Sequence, residues 1–138
     1  MRNKKYIVIG ILCIAVILLA GNIPNIVGRV RGKEIKTIRV MLGVPGEGMR
    51  EEQLENKSDV ESMVKYLNRI DKKYPVYRGK VKGWEVAIQC FDENEKWLYT
   101  ISFAGPYMSV NDRWYYVGEK ETEKMKAKFE EYTGVNSL

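Results

Sequence analysis

The amino-terminal segment limits what this chain can fold into more than any other part of its sequence. Residues 1–5 read Met-Arg-Asn-Lys-Lys, and the run from Tyr6 to Ala20 contains no charged or strongly polar side chain. One charge at the centre of a spanning helix opposes membrane insertion by about 2.5–3.5 kcal/mol, so an unbroken apolar run behind a basic tip is typical of membrane targeting. The pattern predicts a membrane anchor or a signal segment over residues 1–28.

The length of the apolar run bears on whether this segment stays attached. Its fifteen residues span about 22 Å as a helix, which is less than the roughly 30 Å of hydrocarbon in a bilayer. Extension to Val27 restores the length but includes Asn22, Pro24 and Asn25. A cleaved signal has small residues at the first and third positions before the cut, and the best candidate has Leu18 at the third. An uncleaved anchor within residues 6–27 is therefore favoured, with cleavage and secretion as the alternative.

The distribution of basic residues predicts the orientation of the anchor. Three basic residues precede the apolar run, together with the terminal amine. Because flanking Lys and Arg favour the cytoplasmic side, we expect a single-pass protein of the cell membrane with its carboxyl-terminal domain outside the cytoplasm.

Basic residues also follow the apolar run, and they have two interpretations. Beside anionic lipid each would contribute about 1 kcal/mol, and they would equally meet anionic polymers of a cell envelope. The other interpretation is a solvated linker, over residues 29–34, without a partner. The residues are Arg29, Arg31, Lys33, Lys36 and Arg39.

The net charge of +5 comes mainly from the targeting tip. Without residues 1–5, 20 basic residues face 18 acidic ones, which predicts no nucleic-acid partner.

Residues 35–138 are enough for one compact domain with one core. Cys90 is the one cysteine in that domain, so no internal disulfide can form there. A lipid-attachment cysteine needs a small residue directly before it. Cys13 follows Leu12 and lies within the apolar run, so we do not expect it to carry a lipid.

The domain shows alternating helix and strand patterns. Alternation over residues 35–42 predicts a strand, and the glycine-rich residues 43–48 predict a turn after it. Ser58 and Glu61 match a capping box, so we expect a helix from Ser58 that Pro75 ends near residue 73. A short edge strand is an option for residues 74–83. A second helix is predicted over residues 119–132, with lysines 124, 126 and 128 on its wet side and Gly134 as its stop.

Aromatic and β-branched residues predict the remaining strands. Residues 84–90 and 97–103 form a hairpin pattern around a four-residue turn, and residues 107–110 and 113–117 form a smaller one around Asn111 and Asp112. Alternation places Trp97 and Tyr99 on one face of their strand, and Cys90 on an apolar face where its thiol is unreactive. The predicted class is α+β, in the order β-α-β-β-β-β-α, with about four to five antiparallel strands and two helices on one face.

The chain contains no histidine, which excludes a hydrolase triad that uses an imidazole and removes the commonest metal ligand. We therefore expect a non-enzymatic protein without a metal or a cofactor. The carboxylates Glu51 and Glu55, and likewise Asp92 and Glu95, lie in charged or turn-forming stretches that are typical of solvated groups. A small hydrolase that uses carboxylates remains the alternative.

Aromatic side chains crowd three neighbouring predicted strands. Both predicted helices cover one face of the sheet, so some of these rings should remain on the other face or at an edge. Exposed rings commonly mark contacts with proteins or stacking on sugars, whereas packing within the core is the alternative. The candidate binding residues are Trp97, Tyr99, Tyr107, Trp114, Tyr115 and Tyr116.

Three features together give the chain a resemblance to a known kind of protein. They are the Arg-Asn-Lys-Lys tip with its apolar run, Val64-Lys65-Tyr66-Leu67-Asn68 and Trp114-Tyr115-Tyr116-Val117. With them the chain resembles, loosely over its full length, the small single-pass exported proteins of unknown function found in Gram-positive bacteria. The resemblance implies a location and an architecture, and it supplies no catalytic residues.

These features predict a membrane-tethered extracytoplasmic domain that binds a protein or a cell-envelope component. Its expected partners are the membrane, through residues 6–27, and a protein or an envelope polymer. The alternatives are the carboxylate-dependent hydrolase and a structural accessory subunit of a membrane complex.

Overall fold

A long amino-terminal helix projects from a small folded domain. The structure is a computed structural model that describes residues 2–44, 46–75 and 83–133. Helix α1, Arg2–Val27, has 26 residues and is therefore about 39 Å long. Its large apolar side chains between Tyr6 and Leu19 are 55–68% exposed. Among the described residues this helix is long and apolar enough to cross a membrane, a property that anchors and signal segments share.

A six-stranded antiparallel sheet forms the centre of the domain, in the order β2-β1-β3-β4-β5-β6. A 3-10 turn at Gly32–Glu34 precedes the first strand. Helix α2 follows β2 in the chain, and helix α3 follows β6, which confirms the α+β class. The elements are β1 (Thr37–Val44), β2 (Gly48–Leu54), α2 (Lys57–Arg69), β3 (Val86–Phe91), β4 (Trp97–Ala104), β5 (Tyr107–Val110), β6 (Arg113–Tyr116) and α3 (Glu119–Thr133).

The hydrophobic core lies between one face of the sheet and the two helices, and we call this side the covered face. Antiparallel register places Ile38 opposite Cys90, and Val40 opposite Ile88, so apolar side chains from neighbouring strands meet. The apolar side of each amphipathic helix packs onto them. The covered face includes Ile38, Val40, Leu42, Val86, Ile88, Cys90, Ile101, Phe103, Met108 and Tyr115, and the helices add Val60, Met63, Leu67, Met125 and Phe129.

The structure contains a strand, β2, that the predicted order lacks, so the predicted strand order is corrected here. The segment Gly48–Leu54 reads Gly-Met-Arg-Glu-Glu-Gln-Leu, which has no apolar alternation and low strand propensity. It forms a strand because β1 pairs with it over seven residue pairs, from Ile38 with Leu54 to Val44 with Gly48. Gly46 and Gly48 have φ values of 81° and 93°, which only glycine adopts readily, and they allow the tight reversal between the two strands.

Helix α2 begins differently from the predicted capping box. Asn56 is the N-cap residue, and its side-chain oxygen accepts a hydrogen bond of 2.8 Å from the backbone nitrogen of Ser58. Ser58 is therefore inside the helix, and Glu61 lies 4.0 Å from Lys57 in an exposed pair instead of reaching back to a cap. The prediction of a cap at Ser58 was wrong because an asparagine two residues earlier has the same capping chemistry.

Helix α2 also ends before the predicted stop at Pro75. Ile70 already has an extended backbone, with φ −64° and ψ 122°. The buried Lys72 ammonium donates to the carbonyl oxygens of Leu67 at 3.0 Å and Ile70 at 3.2 Å, so a side chain satisfies groups that a helix end leaves unpaired. Burial lowers the pKa of Lys72 from its ordinary value, while nearby Asp71 acts in the opposite direction.

After α2 the chain passes along the edge of β6. The backbone nitrogen of Lys73 donates to the Tyr116 oxygen at 3.0 Å, and the Tyr116 nitrogen donates back at 2.8 Å. The edge strand predicted for residues 74–83 falls mostly on residues 76–82, which lie outside the described residues, as does the predicted helix stop at Gly134. β3 begins at Val86, two residues after the predicted start at Trp84.

Helix α3 confirms its predicted apolar side and corrects its wet side. Met125 and Phe129 are fully buried. The Lys126 ammonium lies 2.7 Å from the Glu85 carboxylate, and the Lys128 ammonium lies 4.9 Å from the centroid of the Tyr66 ring. These two lysines therefore join α3 to its neighbours, because long side chains place their charged ends on partners at the rim of the core.

The end of α1 and the following segment pack onto the domain. The Asn25 side chain accepts a hydrogen bond of 2.8 Å from the backbone nitrogen of Lys72. At Gly28 an added Cβ would lie 2.8 Å from Lys72 Cδ and 3.2 Å from Tyr115 Cε2, so only glycine allows this approach. Val30 is 1% exposed and belongs to the core. Residues 29–34, predicted as a linker, are thus in contact with the fold.

Candidate binding surface on the open sheet face

The side of the sheet opposite the core carries no helix from the described part of the chain, and we call it the open face. Alternation along each strand and register between strands arrange its side chains in rows. Strands β1 and β2 contribute Arg39, Met41, Met49, Glu51 and Gln53; strands β3 and β4 contribute Ala87, Gln89, Phe91, Trp97, Thr100, Ser102 and Ala104; strands β5 and β6 contribute Tyr107, Ser109, Trp114 and Tyr116.

Small and hydroxyl-bearing residues occupy the centre of the open face. One row runs from Ala87 through Ser102 to Ser109, and Ala104 lies in the next row. Ala87 is 3% and Ser109 4% exposed although no described helix lies over them. Both small residues have larger register partners on the same face, Met41 beside Ala87 and Trp114 beside Ser109, so the centre of the face is a shallow floor between bulkier side chains.

Three aromatic rings stand at the β5–β6 end of this floor. Tyr107 and Tyr116 are register partners whose ring centroids are 6.1 Å apart at an interplanar angle of 78°, an edge-to-face contact. Trp114 is the partner of Ser109 in the next row and is half-buried. Tyr116 keeps 45% of its surface exposed. Tyr107 and Tyr116 therefore hold each other in place, while the exposed part of Tyr116 remains available to a ligand.

Trp97 lies on the same face, toward its opposite end. A bulge lets Cys90 pair with Tyr99 while Phe91 pairs with Trp97, so Trp97 and Tyr99 point to opposite faces. The prediction that they share a face was therefore wrong. Trp97 is 57% exposed, and its Nε1 donates to the Tyr99 carbonyl at 3.0 Å, which orients the ring. From strand and residue spacing, Trp97 and Trp114 are about 17 Å apart.

Two of the six predicted binding residues lie on the covered face. Tyr115 is 1% exposed and stacks on Tyr74 at 6.1 Å with an interplanar angle of 27°. Burial raises the pKa of Tyr115, and Tyr74 adds to this effect. The hydroxyl of Tyr99 accepts a hydrogen bond of 3.2 Å from the backbone nitrogen of Arg31. Neither residue can present its ring to a ligand on the open face.

The β1–β2 side of the open face carries paired charges, which the aromatic pattern of the sequence does not predict. Arg39 Nε lies 3.0 Å from a Glu51 carboxylate oxygen, and the Arg39 guanidinium lies 5.4 Å from the Phe91 ring centroid. Arg39 is therefore part of the sheet surface and not of the basic segment after α1. The signal was available in the alternation, because Arg39 lies between the buried residues Ile38 and Val40.

Three of the four carboxylates considered as catalytic candidates have structural partners; the fourth, Glu95, lies in the turn between β3 and β4 with a φ of 61°. Glu51 pairs with Arg39, and Glu55 accepts a hydrogen bond of 2.8 Å from the Gln53 side chain. Asp92 accepts bonds from the backbone nitrogens of Asn94 and Lys96 at 2.9 and 2.8 Å, which organises the β3–β4 turn. These three carboxylates are used to pair charges and to satisfy backbone groups.

The single thiol of the domain lies on the covered face. Cys90 is fully buried, and burial raises its pKa to about 12. A thiol in this state is a poor nucleophile and a poor metal ligand. The described residues also contain no group of three or more side chains that could hold a metal ion.

Comparisons with protein-family models, with curated proteins and with solved structures each found no match. The resemblance to small exported proteins therefore stays a prediction. Evidence on function comes from the exposed run of α1 and from the surfaces of the folded domain.

Proposed function

We propose that this chain is a single-pass membrane protein whose carboxyl-terminal domain lies outside the cytoplasm and binds a protein or an envelope component through its open face. The exposed apolar run between Tyr6 and Leu19 supports the membrane part of this proposal, because water would otherwise contact it over its whole length. The basic tip before it supports the orientation.

The observation that carries the binding proposal is the contrast between a covered face and an open face that bears clustered aromatic rings. Both helices pack on one side of the sheet, whereas Tyr107, Trp114 and Tyr116 line the other side next to a floor of small residues. Rings beside short hydroxyl-bearing side chains offer stacking area and hydrogen bonds together. The separation of about 17 Å between Trp97 and Trp114 suits an extended ligand that lies across several strands.

The chemistry of the open face favours binding over catalysis. The chain has no histidine, the Glu51 carboxylate is paired with Arg39, and the Cys90 thiol lies on the opposite side of the sheet. Catalysis requires an activated acid, base or nucleophile next to the bound substrate. The open face instead offers aromatic, hydroxyl and amide groups together with the paired charges of Arg39 and Glu51.

The first experiment fixes the side of the membrane. Intact cells that carry the full-length protein with a carboxyl-terminal tag are treated with a protease that cannot cross the membrane. We expect loss of the tag from intact cells and retention of the chain in the membrane fraction. Protection of the tag until the cells are opened would overturn the proposed orientation, and recovery of the full chain as a freely dissolved protein would overturn the tether.

The second experiment tests the open face. Full-length protein in which Trp97→Ala and Trp114→Ala are combined is compared with wild type for partners captured after crosslinking in cells and detergent extraction. We expect the variant to capture at least about 10-fold less, since hot-spot aromatic residues each contribute about 2 kcal/mol. Tyr74→Ala is the matched control because Tyr74 is 55% exposed but stacks on the covered side. Equal capture by wild type and the double variant, with unchanged circular dichroism, would overturn the proposal.

A further inference from the structure

A cleft lies where α1 enters the folded domain. It has a volume of about 990 Å³ and is bounded by the last turns of α1, by residues 29–34 and by α2. Apolar atoms of Ile26, Val30 and Val64 form part of its lining. The charged residues around it are the cations Arg29, Arg31, Lys33, Lys65 and Arg69 and the acids Glu34 and Glu61.

The wall of the cleft that carries the first three cations is held in place by specific contacts. The Asn68 side chain accepts from the backbone nitrogen of Val30 and donates to its carbonyl oxygen, both at 2.8 Å. At Gly32 an added Cβ would lie 3.0 Å from Val64 Cγ1, so this segment lies directly against α2. The backbone around Arg31 is also tied to the Tyr99 hydroxyl. The cations of this segment therefore extend from a fixed backbone, which reduces the entropy lost when they bind a ligand.

The cleft has an unbalanced positive charge. Five cations and two acids leave an excess of three positive charges around one opening. Within the described part of the chain, none of the five cations lies within 4.0 Å of a carboxylate in an ion pair. Guanidinium and ammonium groups in such an arrangement are suited to a phosphate, which arginine binds through two parallel hydrogen bonds.

The surface of α1 indicates the depth at which the cleft lies. In its last turns Ile23, Ile26 and Val27 are 41–58% exposed, whereas Pro24 and Gly28 are buried against the domain. With these apolar residues included, residues 6–27 span about 33 Å, which matches the roughly 30 Å of bilayer hydrocarbon. The cations that begin at Arg29 then lie at the level of the lipid headgroups. This placement depends on the membrane insertion of α1 proposed above.

We infer that the cleft binds the phosphate of an anionic phospholipid headgroup from the leaflet in which α1 ends. Arg31, on the segment after α1, and Arg69, on the adjoining helix α2, both line the cleft and supply the guanidinium groups for the phosphate, and Lys65 adds a third positive charge on the α2 side. The apolar atoms of Ile26 and Val64 face the glycerol and upper acyl region of the same lipid. One bound lipid would thus fix the domain at one orientation on the membrane surface.

The test measures lipid retention by the full-length protein. Protein in detergent micelles is mixed with phosphatidylglycerol or with phosphatidylcholine, and bound lipid is counted by native mass spectrometry. We expect one tightly held phosphatidylglycerol and no comparable retention of phosphatidylcholine. Combined Arg31→Gln and Arg69→Gln should weaken phosphatidylglycerol binding roughly 30-fold. Combined Arg113→Gln and Lys120→Gln removes the same charge from exposed residues that do not line the cleft, and it should leave retention unchanged.

Each other outcome has a definite meaning. Equal loss in the two double variants would mean that net charge alone attracts the lipid, and equal retention by the cleft variant and wild type would place the lipid elsewhere; both overturn the inference. Displacement of the lipid by millimolar inorganic phosphate would identify a site for free phosphate and would also overturn it. Failure of the membrane tether is distinguished because the wild-type chain would then leave the membrane fraction before any lipid is added.

Discussion

The two faces of one sheet differ in what packs on them: α2 and α3 cover one face, and no helix from the described part of the chain covers the other. Tyr115 and Tyr116 are neighbours of the same residue type on β6, yet one is 1% and the other 45% exposed. Strand alternation alone sends them to opposite faces. The covered face receives Tyr115 with the apolar sides of α2 and α3, and the open face receives Tyr116 with Tyr107 and Trp114.

The difference teaches that aromatic content does not by itself identify a binding surface. Of the six aromatic residues singled out from the sequence, Tyr99 and Tyr115 belong to the covered face, and the remaining four belong to the open face. The register of each strand decides the face on which a ring lies, and among the described elements α2 and α3 pack on the covered face. The comparison can be tested at both faces with matched variants.

The largest expected effect is on thiol reactivity. In full-length protein with Cys13→Ser, Cys90 should react with a maleimide at least about 1000-fold more slowly than a cysteine on the open face, because a rise in pKa from 9.0 to about 12 removes nearly all thiolate at neutral pH. The matched open-face variant is Gln53→Cys with Cys13→Ser and Cys90→Ala, since Gln53 is exposed on β2. Comparable rates without denaturant would mean that the covered face is open to solvent.

The second effect is on the free energy of unfolding. Tyr115→Ala should lower it by about 3–5 kcal/mol, because a large ring leaves the core and a cavity remains. Tyr116→Ala should lower it by about 1 kcal/mol, the value of its edge-to-face contact with Tyr107. Urea titrations of the full-length protein in detergent, followed by circular dichroism, measure both. Similar losses for the two variants would remove the distinction between the faces.

A third effect, also on the free energy of unfolding, concerns α2, one of the two helices that cover the sheet. Asn56→Ala should lower the free energy of unfolding by about 1 kcal/mol, since it removes the N-cap of α2, whereas Ser58→Ala should change it by only a few tenths. The same urea titration measures this pair. If Ser58→Ala were the more damaging change, the capping box predicted from the sequence would be correct and the cap at Asn56 would not.

The smallest effect on the free energy of unfolding concerns the contact between Glu85, next to β3, and Lys126 of α3. The hydrogen bond from Lys126 lowers the pKa of the Glu85 carboxyl below its ordinary value of 4.5, with a further contribution from the Gly105 backbone nitrogen. Because the folded state holds the carboxylate form, the stabilisation is present above pH 4.5 and is lost as the pH falls through the lower pKa of the folded state.

Glu85→Gln should therefore lower the free energy of unfolding at pH 7 by less than about 1 kcal/mol, since both side chains are partly exposed to water. The difference from wild type should shrink as the pH falls below 4.5. Unfolding curves at pH 7 and at pH 3 measure this. A difference that grows on acidification would contradict the assigned role of the pair.

Much of the fold could be predicted because its local patterns agree with its packing. The strands at Val86–Phe91 and Trp97–Ala104 have strong alternation, and Met125 and Phe129 recur at helical spacing. The charged strand Gly48–Leu54 could not be predicted, because its strand state depends on hydrogen bonds from β1. The face of Trp97 depends on a bulge that shifts the register by one residue, and no local pattern marks that position.

The sequence by itself determined the apolar amino-terminal helix, the α+β class and the parity that separates Tyr115 from Tyr116, because these follow from side-chain spacing within one element. Only the tertiary structure decided which rings share the open face. It also decided that residues 29–34 lie against α2, with their cations around a cleft. Those features depend on contacts between residues far apart in the chain, such as Val30 with Asn68. The reason is physical: spacing along one strand or helix sets the direction of a side chain, whereas its partner is set by the packing of the whole core.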